Sequence, residues 1–432
     1  MVFTPSVSGP RWPVTYLSEQ AAVENLAEVS EADLPNDAAT KSPPRSVWRI
    51  RNGQAITPCK NRASYFIRAS SPELEQQVWQ LAAGQIDELP KPPPGTRRVV
   101  IATPANGGER RFSLQLGDAL TKLGHEWCVC SRAVACMAEK MNTDIFISSC
   151  FWTKIPPFCP ASGIVSLLYV HSPYCVSPAN YKHVSTYDNF LFAQYGIAEL
   201  EEHLRKDGKN FRQLKTYMTM SKTDFCNSPK KRIAYIGYLH DQRRRHGLAK
   251  LFQLLDETEY CDFYGPARIW RNAGPHSWKG EIYVNGPMDV QNVMKPAGIA
   301  LVLHAGQHYE SGTAVMRDFE AFASSCVVIT EKTAFMQENF SDCVLFIDTE
   351  KSAEEVFEQI DNHVKWIHAH PAEAVEMARK SHKIFCDKFS LEGECEKILK
   401  FVDEISDFHA CQSSEAVYEP EKLAISNSEP AV

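Results

Sequence analysis

The sequence predicts an α/β protein with two Rossmann-like, doubly wound domains that face a cleft, preceded by a small N-terminal extension. Apolar runs of buried-strand length alternate with helical patterns from residue 97 to about residue 226. A short polar linker follows at 227–231, and the same alternation then starts again. Because repeated strand and helix units build parallel sheets, we expect two similar sheets with a ligand crevice between them.

The composition fits globular domains of this kind. The chain has 432 residues, of which 44% are hydrophobic, and a formal net charge of −7, which disfavours general binding to nucleic acid or anionic membranes. Its 14 cysteines form no C-x-x-C pair. The N-terminus lacks the pattern of a secretory signal, and no apolar run approaches the roughly 18 residues of a membrane span. We therefore expect a cytoplasmic protein with reduced thiols and no transmembrane segment.

The two ends of the chain differ in composition from its middle. Residues 1–45 are rich in Pro, Ser and acidic residues, which predicts a disordered tail. Residues 46–96 predict a small extension, with a hairpin at Asn52 and Gly53, a helix from about 72 to 83, and a Pro-rich spacer. Residues 390–408 predict a terminal amphipathic helix, and residues 409–432 a second disordered tail.

The first domain is expected to span residues 97–226. Strands are predicted at 99–102, 126–130, 144–147, 163–170 and 189–193, with a last strand at 217–220. The turn after the first strand contains Gly107 and Gly108, which either let the backbone approach a phosphate or sugar closely or serve only the geometry of the turn. That turn lacks the G-x-G-x-x-G spacing of dinucleotide enzymes. His171 directly follows the fourth strand, so it is expected at the cleft, as a sugar contact or as a structural histidine.

The second domain is expected to span residues 227–389, with strands at 232–236, 261–264, 298–303 and 326–330. Gly237 ends its first strand. Arg244 and Arg245 stand at the start of the next helix, where the helix dipole disfavours cations unless an anion binds there. That mismatch favours an anion-binding role for the two arginines.

The helix expected after residues 298–303 carries the strongest functional signal. Apolar residues share one face of this helix, while Arg317 and Glu320 lie on another side. Ser311, Gly312 and Thr313 are expected just before it, where free N–H groups could bind an anion together with Arg317. The alternative is an ordinary surface ion pair between Arg317 and Glu320. The position after the carboxyl end of a strand favours the ligand site.

Two histidine groups suggest a metal, but neither has the usual geometry of a metal site. His304, His308 and Glu310 lie across a glycine-containing loop and lack the i,i+4 helical spacing of a zinc pair. His368 and His370 lie at a polar helix end, beside a proline. No metal site is therefore expected.

The second half of the chain resembles GT-B glycosyltransferases of the family-1-type group, which includes spore-maturation-like bacterial enzymes. The typical sequence is an apolar strand ending in His, a small-residue loop, an arginine, Phe-Glu-Ala and an apolar strand. Here these features are His304, residues 311–313, Arg317, residues 319–321 and residues 327–329. The resemblance is clearest over residues 232–348 and weaker over residues 97–404.

This resemblance implies a metal-independent hexosyltransferase that needs no cofactor. It uses a nucleoside diphosphate sugar as co-substrate and an unidentified acceptor, which is a glycan, a protein or a small molecule. The ribose is expected on Glu320 and the diphosphate on the loop before the helix and on the basic residues. The implied catalytic residues are His171, Arg317 and Glu320. The implied donor-binding residues are Gly107, Gly108, Gly237, Arg244, Arg245, Gly265, Glu310, Ser311, Gly312 and Thr313.

One departure from the group's pattern leaves alternatives open. Many members carry two glutamates with seven residues between them, whereas nine residues separate Glu310 from Glu320, and Gly312 occupies the expected first position. The stereochemical outcome, retaining or inverting, is therefore open. A protein that binds nucleotide sugars without catalysis is a second hypothesis. A nicotinamide-dependent oxidoreductase is disfavoured because the dinucleotide fingerprint is missing after the first strand.

Overall fold

A computed structural model describes residues 26–27, 48–50, 55–56, 66–104, 108–192, 198–227, 230–237, 248–282 and 289–416. These ranges contain one small antiparallel sheet and two larger α/β domains. The small sheet consists of β1 (Leu26–Ala27), β2 (Trp48–Ile50) and β3 (Ala55–Ile56). The antiparallel pairing of β2 with β3 confirms the predicted hairpin. Within these ranges, no helix is long and apolar enough to cross a membrane.

The first domain is built on a seven-stranded sheet. Its strands are β4 (Ile67–Ala69), β5 (Arg98–Ala102), β6 (Glu126–Cys130), β7 (Ile145–Ser148), β8 (Val165–Val170), β9 (Asn189–Phe192) and β10 (Arg212–Lys215). They lie in the order β10-β9-β8-β7-β5-β6-β4, and all pairs are parallel except β4 with β6. Its helices are α1 (Pro72–Ala82), α2 (Gly108–Lys122), α3 (Arg132–Ala135), α4 (Pro178–Val184) and α5 (Ala198–Lys206).

The first sheet extends further than expected at one edge. Residues 67–69 were expected in a separate extension, but β4 pairs with β6, and Ile67 is fully buried in the domain core. Burial of α1 residues such as Leu74 and Val78 adds this helix to the same core. Part of the predicted extension therefore belongs to the first sheet.

The last strand of the first sheet lies earlier than predicted. It is β10, whose side chains alternate between half-buried and exposed, as expected for an edge strand. The apolar residues predicted to form it, around Tyr217 and Met220, instead pack into the core of the second domain. The prediction of a strand at 217–220 is wrong because apolar character marks burial, which here comes from the neighbouring domain.

The second domain is a six-stranded parallel sheet with helices on both faces. Its strands are β11 (Arg232–Ile236), β12 (Cys261–Tyr264), β13 (Trp278–Gly280), β14 (Gly298–Val302), β15 (Val327–Glu331) and β16 (Leu345–Ile347), in the order β13-β12-β11-β14-β15-β16. Its helices are α6 (Leu248–Asp256), α7 (Ala267–Ala273), α8 (Val290–Ala297), α9 (Gly306–Glu310), α10 (Met316–Ala323), α11 (Ala334–Phe340), α12 (Ala353–Ala369) and α13 (Pro371–Lys388).

Both sheets are doubly wound, as the sequence predicts. β5 and β11, the first parallel strands of their domains, lie inside the sheets, so the strand order reverses on either side of them. Alternate residues of β5 enter opposite cores: Val99 and Ile101 on one face, Val100 and Ala102 on the other. Such a reversal creates a crevice at the carboxyl ends of the strands.

The terminal helix α14 (Leu391–Ala416) returns to the first domain. Its apolar residues, including Leu391, Ile398 and Ile405, complete one core of the first sheet. The backbone N–H of Leu391 donates to the carbonyl of Met220, which fixes the crossing point between the domains. α14 begins close to the predicted residue 390, and the chain therefore links the two domains twice.

Candidate functional site in the interdomain cleft

The carboxyl edges of the two sheets face each other. α2 follows β5, and α10 follows β14 after the short helix α9. The first residues of α2 and α10 meet, because a Cβ atom on Gly108 would lie 3.5 Å from the Sδ atom of Met316. Met316 packs against apolar clusters of both domains. The crevices of the two sheets therefore form a single cleft.

A buried ion-pair cluster joins the domains across this cleft. Nη1 of Arg111, in the first turn of α2, lies 2.6 Å from Oε1 of Glu320 on α10. Nη2 of Arg111 lies 3.4 Å from Oδ2 of Asp289. The second oxygen of Glu320, Oε2, lies 2.5 Å from Nη1 of Arg317. Both oxygens of Glu320 are thus paired with guanidinium groups.

The predicted pairing of Arg317 with Glu320 is present, but it is more than a surface pair. The side chain of Glu320 is only 2% exposed, whereas that of Arg317 is 26% exposed. Buried carboxylates need paired cations to offset the loss of hydration. Arg111 supplies the second cation from the other domain, so Glu320 depends on the closed arrangement of the two domains.

The loop before α10 differs from the expectation. The helix begins at Met316 and not directly after Thr313, and its N-cap residue is Val315. The N–H group of Val315 donates to Oδ2 of Asp318 at 2.8 Å. The side chain of Asp318 thus already occupies part of the helix N-terminus, where an anion was expected.

The backbone N–H groups of Ser311, Gly312 and Thr313 are not free. They donate to carbonyl oxygens of α9, at 3.0, 3.1 and 3.1 Å respectively. Gly312 has φ of +64°, and a Cβ atom there would come within 2.9 Å of Ala334. The expectation that these N–H groups are available for an anion is therefore wrong, because α9 continues into a turn that uses them.

His304 lies beneath this loop, between two carboxylates. Its Nδ1 is 3.0 Å from Oε2 of Glu331, and its Nε2 is 3.3 Å from Oδ2 of Asp318. Burial lowers the pKa of this imidazole, but the carboxylates of Asp318 and Glu331 outweigh burial and raise the pKa to about 9. His304 is therefore a cation at neutral pH, and it positions the residue that caps α10.

On the opposite side of the cleft, His171 follows β8 as predicted. Its Nε2 is 3.5 Å from Oε1 of Glu109, which lies in the first turn of α2. The ring of Trp152 meets that of His171 edge to face, with centroids 5.4 Å apart. Burial raises the pKa of the Glu109 carboxyl, but the neighbouring His171 imidazole outweighs burial and holds it below the ordinary value. Glu109 is therefore ionised at the cleft edge.

Two solved glycosyltransferases share this architecture over their whole length. Sucrose-phosphate synthase from Thermosynechococcus elongatus is 13% identical, and the match covers 73% of this chain and 100% of that chain with a TM-score of 0.50. An alpha-glucosyltransferase solved with UDP and DNA is 14% identical, with 72% and 100% covered and a TM-score of 0.52. The chain has the GT-B fold.

A weaker likeness adds nothing to this fold assignment. For the pneumococcal O-GlcNAc transferase GtfA, the match covers 60% of this chain and only 56% of that chain, at 13% identity and a TM-score of 0.41. No family model and no curated protein matches the sequence. The GT-B resemblance is thus confirmed by structure, while the family-1-type group rests on the sequence features given above.

Two predicted donor-binding glycines of the GT-B cleft lie side by side at the ends of β11 and β12. The N–H of Gly237 donates to the carbonyl of Tyr264 at 3.2 Å. A Cβ atom on Gly265 would lie 2.5 Å from the carbonyl oxygen of Gly237, so no larger residue fits there. The indole of Trp270 donates to the same oxygen at 3.0 Å. The ends of β11 and β12 are therefore closely packed, and the role of Gly237 and Gly265 in donor binding stays a prediction.

The remaining predicted residues fall into two groups. Gly107, Arg244 and Arg245 lie outside the described residues, so their contacts stay predictions. Glu310 ends α9 and is exposed. Its role as a donor contact therefore also stays a prediction.

The histidines weighed as metal ligands have other partners. Nε2 of His368 lies 3.0 Å from the carbonyl oxygen of Lys231, and Nδ1 of His370 lies 3.0 Å from that of Trp366. His304 uses both nitrogens on carboxylates, as described above. In the part of the chain that the structure covers, no group of three His, Cys, Asp or Glu side chains has the arrangement of a metal site.

Sequence reasoning missed four residues of the cleft: Glu109, Arg111, Trp152 and Asp289. Glu109 and Arg111 had a signal, since they lie one and three residues after Gly108, the second glycine of the first strand-to-helix turn. Charged residues at such a turn face the carboxyl edge of the sheet. No sequence signal marked Trp152 or Asp289, because neither residue belongs to a motif.

Proposed function

We propose that the protein is a glycosyltransferase that moves a hexose from a nucleoside diphosphate sugar to an acceptor hydroxyl without a metal ion. The observation that carries this proposal is the meeting of Arg111, Arg317 and Glu320 between the carboxyl edges of two GT-B domains. Two cations and an acceptor carboxylate suit a diphosphate and the hydroxyls of a ribose.

The chemistry follows from where charge develops. The bond between the anomeric carbon and the diphosphate oxygen breaks, and its electron pair leaves with the diphosphate. The acceptor oxygen bonds to that carbon, and its hydroxyl proton passes to the departing diphosphate or to His171. Negative charge grows on the diphosphate during this step. Arg317, which Glu320 holds in advance, and Arg111, once it has left Glu320, stabilise that charge more in the transition state than in the ground state. Arg111 and Arg317 would thus supply the neutralisation that a metal ion supplies elsewhere.

Donor binding requires an exchange at Glu320. Both of its oxygens are paired, so ribose hydroxyls must replace one guanidinium group. Arg111 belongs to the other domain, and a small opening of the cleft would separate it from Glu320. Arg111 would then be free to approach the diphosphate. The ion pair between Arg111 and Glu320 thus holds the ligand-free cleft closed. When the donor binds, its ribose hydroxyls replace Arg111 on the Glu320 carboxylate.

The test is a donor panel with released nucleoside diphosphate as the readout. UDP-sugars come first, because the alpha-glucosyltransferase that shares the fold was solved with UDP. We expect release from at least one donor, at an unchanged rate after chelation with EDTA. No release from any donor, with or without Mg²⁺, would contradict the proposal, and release only with Mg²⁺ would contradict its metal-independent part.

A nucleotide-sugar binding protein without catalysis is the second candidate. The burial of Glu320 favours it, because a carboxylate that is 2% exposed and fully paired is stable without a substrate. Calorimetry with the same donor panel separates the two candidates. Binding without hydrolysis or transfer to any acceptor would establish the second one.

A further inference from the structure

Two large aromatic side chains are exposed on the first-domain side of the cleft. Trp152, 41% exposed, belongs to the short helix Phe151–Thr153 that follows β7. Tyr174, 42% exposed, belongs to the short helix Pro173–Val176 that follows β8. Both strands end at the carboxyl edge of the sheet, and His171 lies between them in the chain. These aromatic rings therefore border the cleft and not an arbitrary surface.

Trp152 is held in place while its ring stays exposed. One side contacts the buried ring of Phe151, with centroids 4.0 Å apart, and its edge meets His171. A tryptophan whose position is fixed and whose ring stays exposed at the cleft presents an apolar face to a ligand there.

The groups around Trp152 define the chemistry of that ligand. An aromatic face attracts the weakly positive C–H groups of an apolar surface, and an ionised carboxylate accepts hydrogen bonds from several hydroxyls. A pyranose presents both features, with C–H groups on one face and hydroxyls around its rim. A flat phenol has one hydroxyl and leaves most of the capacity of Glu109 unused.

We propose that the acceptor is a saccharide, whose C–H face stacks on Trp152 while its hydroxyls bind Glu109 and His171. This inference rests on the proposed function, of which it names the acceptor class. Tyr174, three residues beyond His171, offers a second aromatic ring at the same edge, as an acceptor longer than one sugar would use. Trp152 is then a specificity-determining residue for the acceptor.

A binding experiment tests this proposal without turnover. Saturation-transfer NMR is recorded with maltose, cellobiose and lactose as probes, and with p-nitrophenol as the flat aromatic competitor. We expect Trp152→Ala to weaken saccharide binding about tenfold, the range of a lost aromatic contact, while Trp152→Phe keeps most of it. Unfolding midpoints of both variants show whether the fold survives.

The matched control is Phe408→Ala. Phe408 is equally exposed, at 43%, but lies on α14 with its ring 3.8 Å from the guanidinium carbon of Arg212, the first residue of β10. It thus stands near the amino edge of the sheet, away from the cleft. Saccharide binding should be unchanged in this variant. Equal binding by wild type and Trp152→Ala, or binding of p-nitrophenol alone, would overturn the proposal.

A kinetic experiment separates this inference from the proposed function. With a donor that is turned over, Trp152→Ala should raise KM for the saccharide about tenfold and leave affinity for the nucleotide sugar unchanged. An equal saccharide KM in Trp152→Ala and Phe408→Ala would remove the acceptor site while the transferase activity stands. If wild type turns over no donor, the proposed function fails, and the binding experiment alone decides the saccharide site.

Discussion

Glu109 and Glu320 occupy corresponding places in the two domains, each on a helix that begins at the cleft, but their surroundings differ. Glu109 is 24% exposed and lies beside one imidazole, that of His171. Glu320 is 2% exposed and is held by two guanidinium groups, one from each domain. Separating a buried ion pair is costly, because it leaves an uncompensated buried charge. A ligand can therefore reach Glu109, in the first-domain half of the cleft, without a rearrangement. A ligand of Glu320, in the second-domain half, must first displace a guanidinium group.

This difference separates the roles of the two halves. A ligand that binds at Glu109 needs no movement of the domains, while one that binds at Glu320 must compete with Arg111. Donor affinity should therefore depend on the domain arrangement, and acceptor affinity should not. Single substitutions can therefore test the two halves separately.

The strongest test removes the charged groups of the buried half. Glu320→Ala and Arg317→Ala should each lower turnover about 10²- to 10³-fold, because each removes a group aligned with developing charge. Turnover and unfolding midpoint are measured on the same preparations. Glu358→Ala, at an exposed position on α12, is the control. Unchanged release of nucleoside diphosphate by both folded variants would remove this cluster from the site.

The stability of the buried half should depend on pH through His304. The folded-state pKa, about 9, is raised above the ordinary 6.5, so the contribution to stability is full below about pH 6.5 and lost as pH rises to 9. The free energy of unfolding should fall by about 3 kcal/mol over that range. Urea denaturation at several pH values checks this loss. The same slope in His304→Gln would show that another group causes it.

The accessible half is tested at His171. If His171 touches the sugar in the reacting state, His171→Ala should lower turnover about 10²-fold with little change in nucleotide affinity. Glu109→Gln should act through the same contact, so the double variant should lose less than the sum of the two single losses. If His171 is instead a structural histidine, His171→Ala should lower the melting temperature and leave the folded fraction active.

The smallest expected effect concerns the ion pair between Arg111 and Glu320, which joins the two halves of the cleft. Arg111→Met removes the cation that competes with ribose for Glu320, so affinity for the free nucleoside of the donor should rise about tenfold. A nucleoside without phosphate is the chosen probe because Arg111 cannot assist its binding through the diphosphate. Arg97→Met, which breaks an ion pair with Asp403 away from the cleft, is the control. Weaker nucleoside binding in Arg111→Met would contradict the competition.

The sequence predicts the two sheets well because parallel strands are buried on both faces. Such strands form continuous apolar runs, and the predicted β6, β11 and β12 match the observed bounds. Burial and strand structure separate at the edge of the first sheet. β10 has the half-polar pattern of an edge strand, and the apolar Tyr217 nearby belongs to the core of the other domain.

The candidate site could be predicted only in part, for a related reason. The side of α10 that carries Arg317 and Glu320 follows from helical spacing within one element. The partner of Glu320 does not, because Arg111 lies 209 residues away and only the packing of the domains brings it close. The prediction that the N–H groups of residues 311–313 are free was wrong for another reason. Their hydrogen bonds to α9 depend on the exact end of that helix, which apolar periodicity does not determine.

The most direct test of the account is a crystal structure with the nucleoside diphosphate of the preferred donor bound. The account predicts ribose hydroxyls within hydrogen-bond distance of the Glu320 carboxylate, with Arg111 displaced from Glu320 and Arg317 beside the diphosphate. A nucleotide bound in the cleft while the pair between Arg111 and Glu320 stays intact would contradict it.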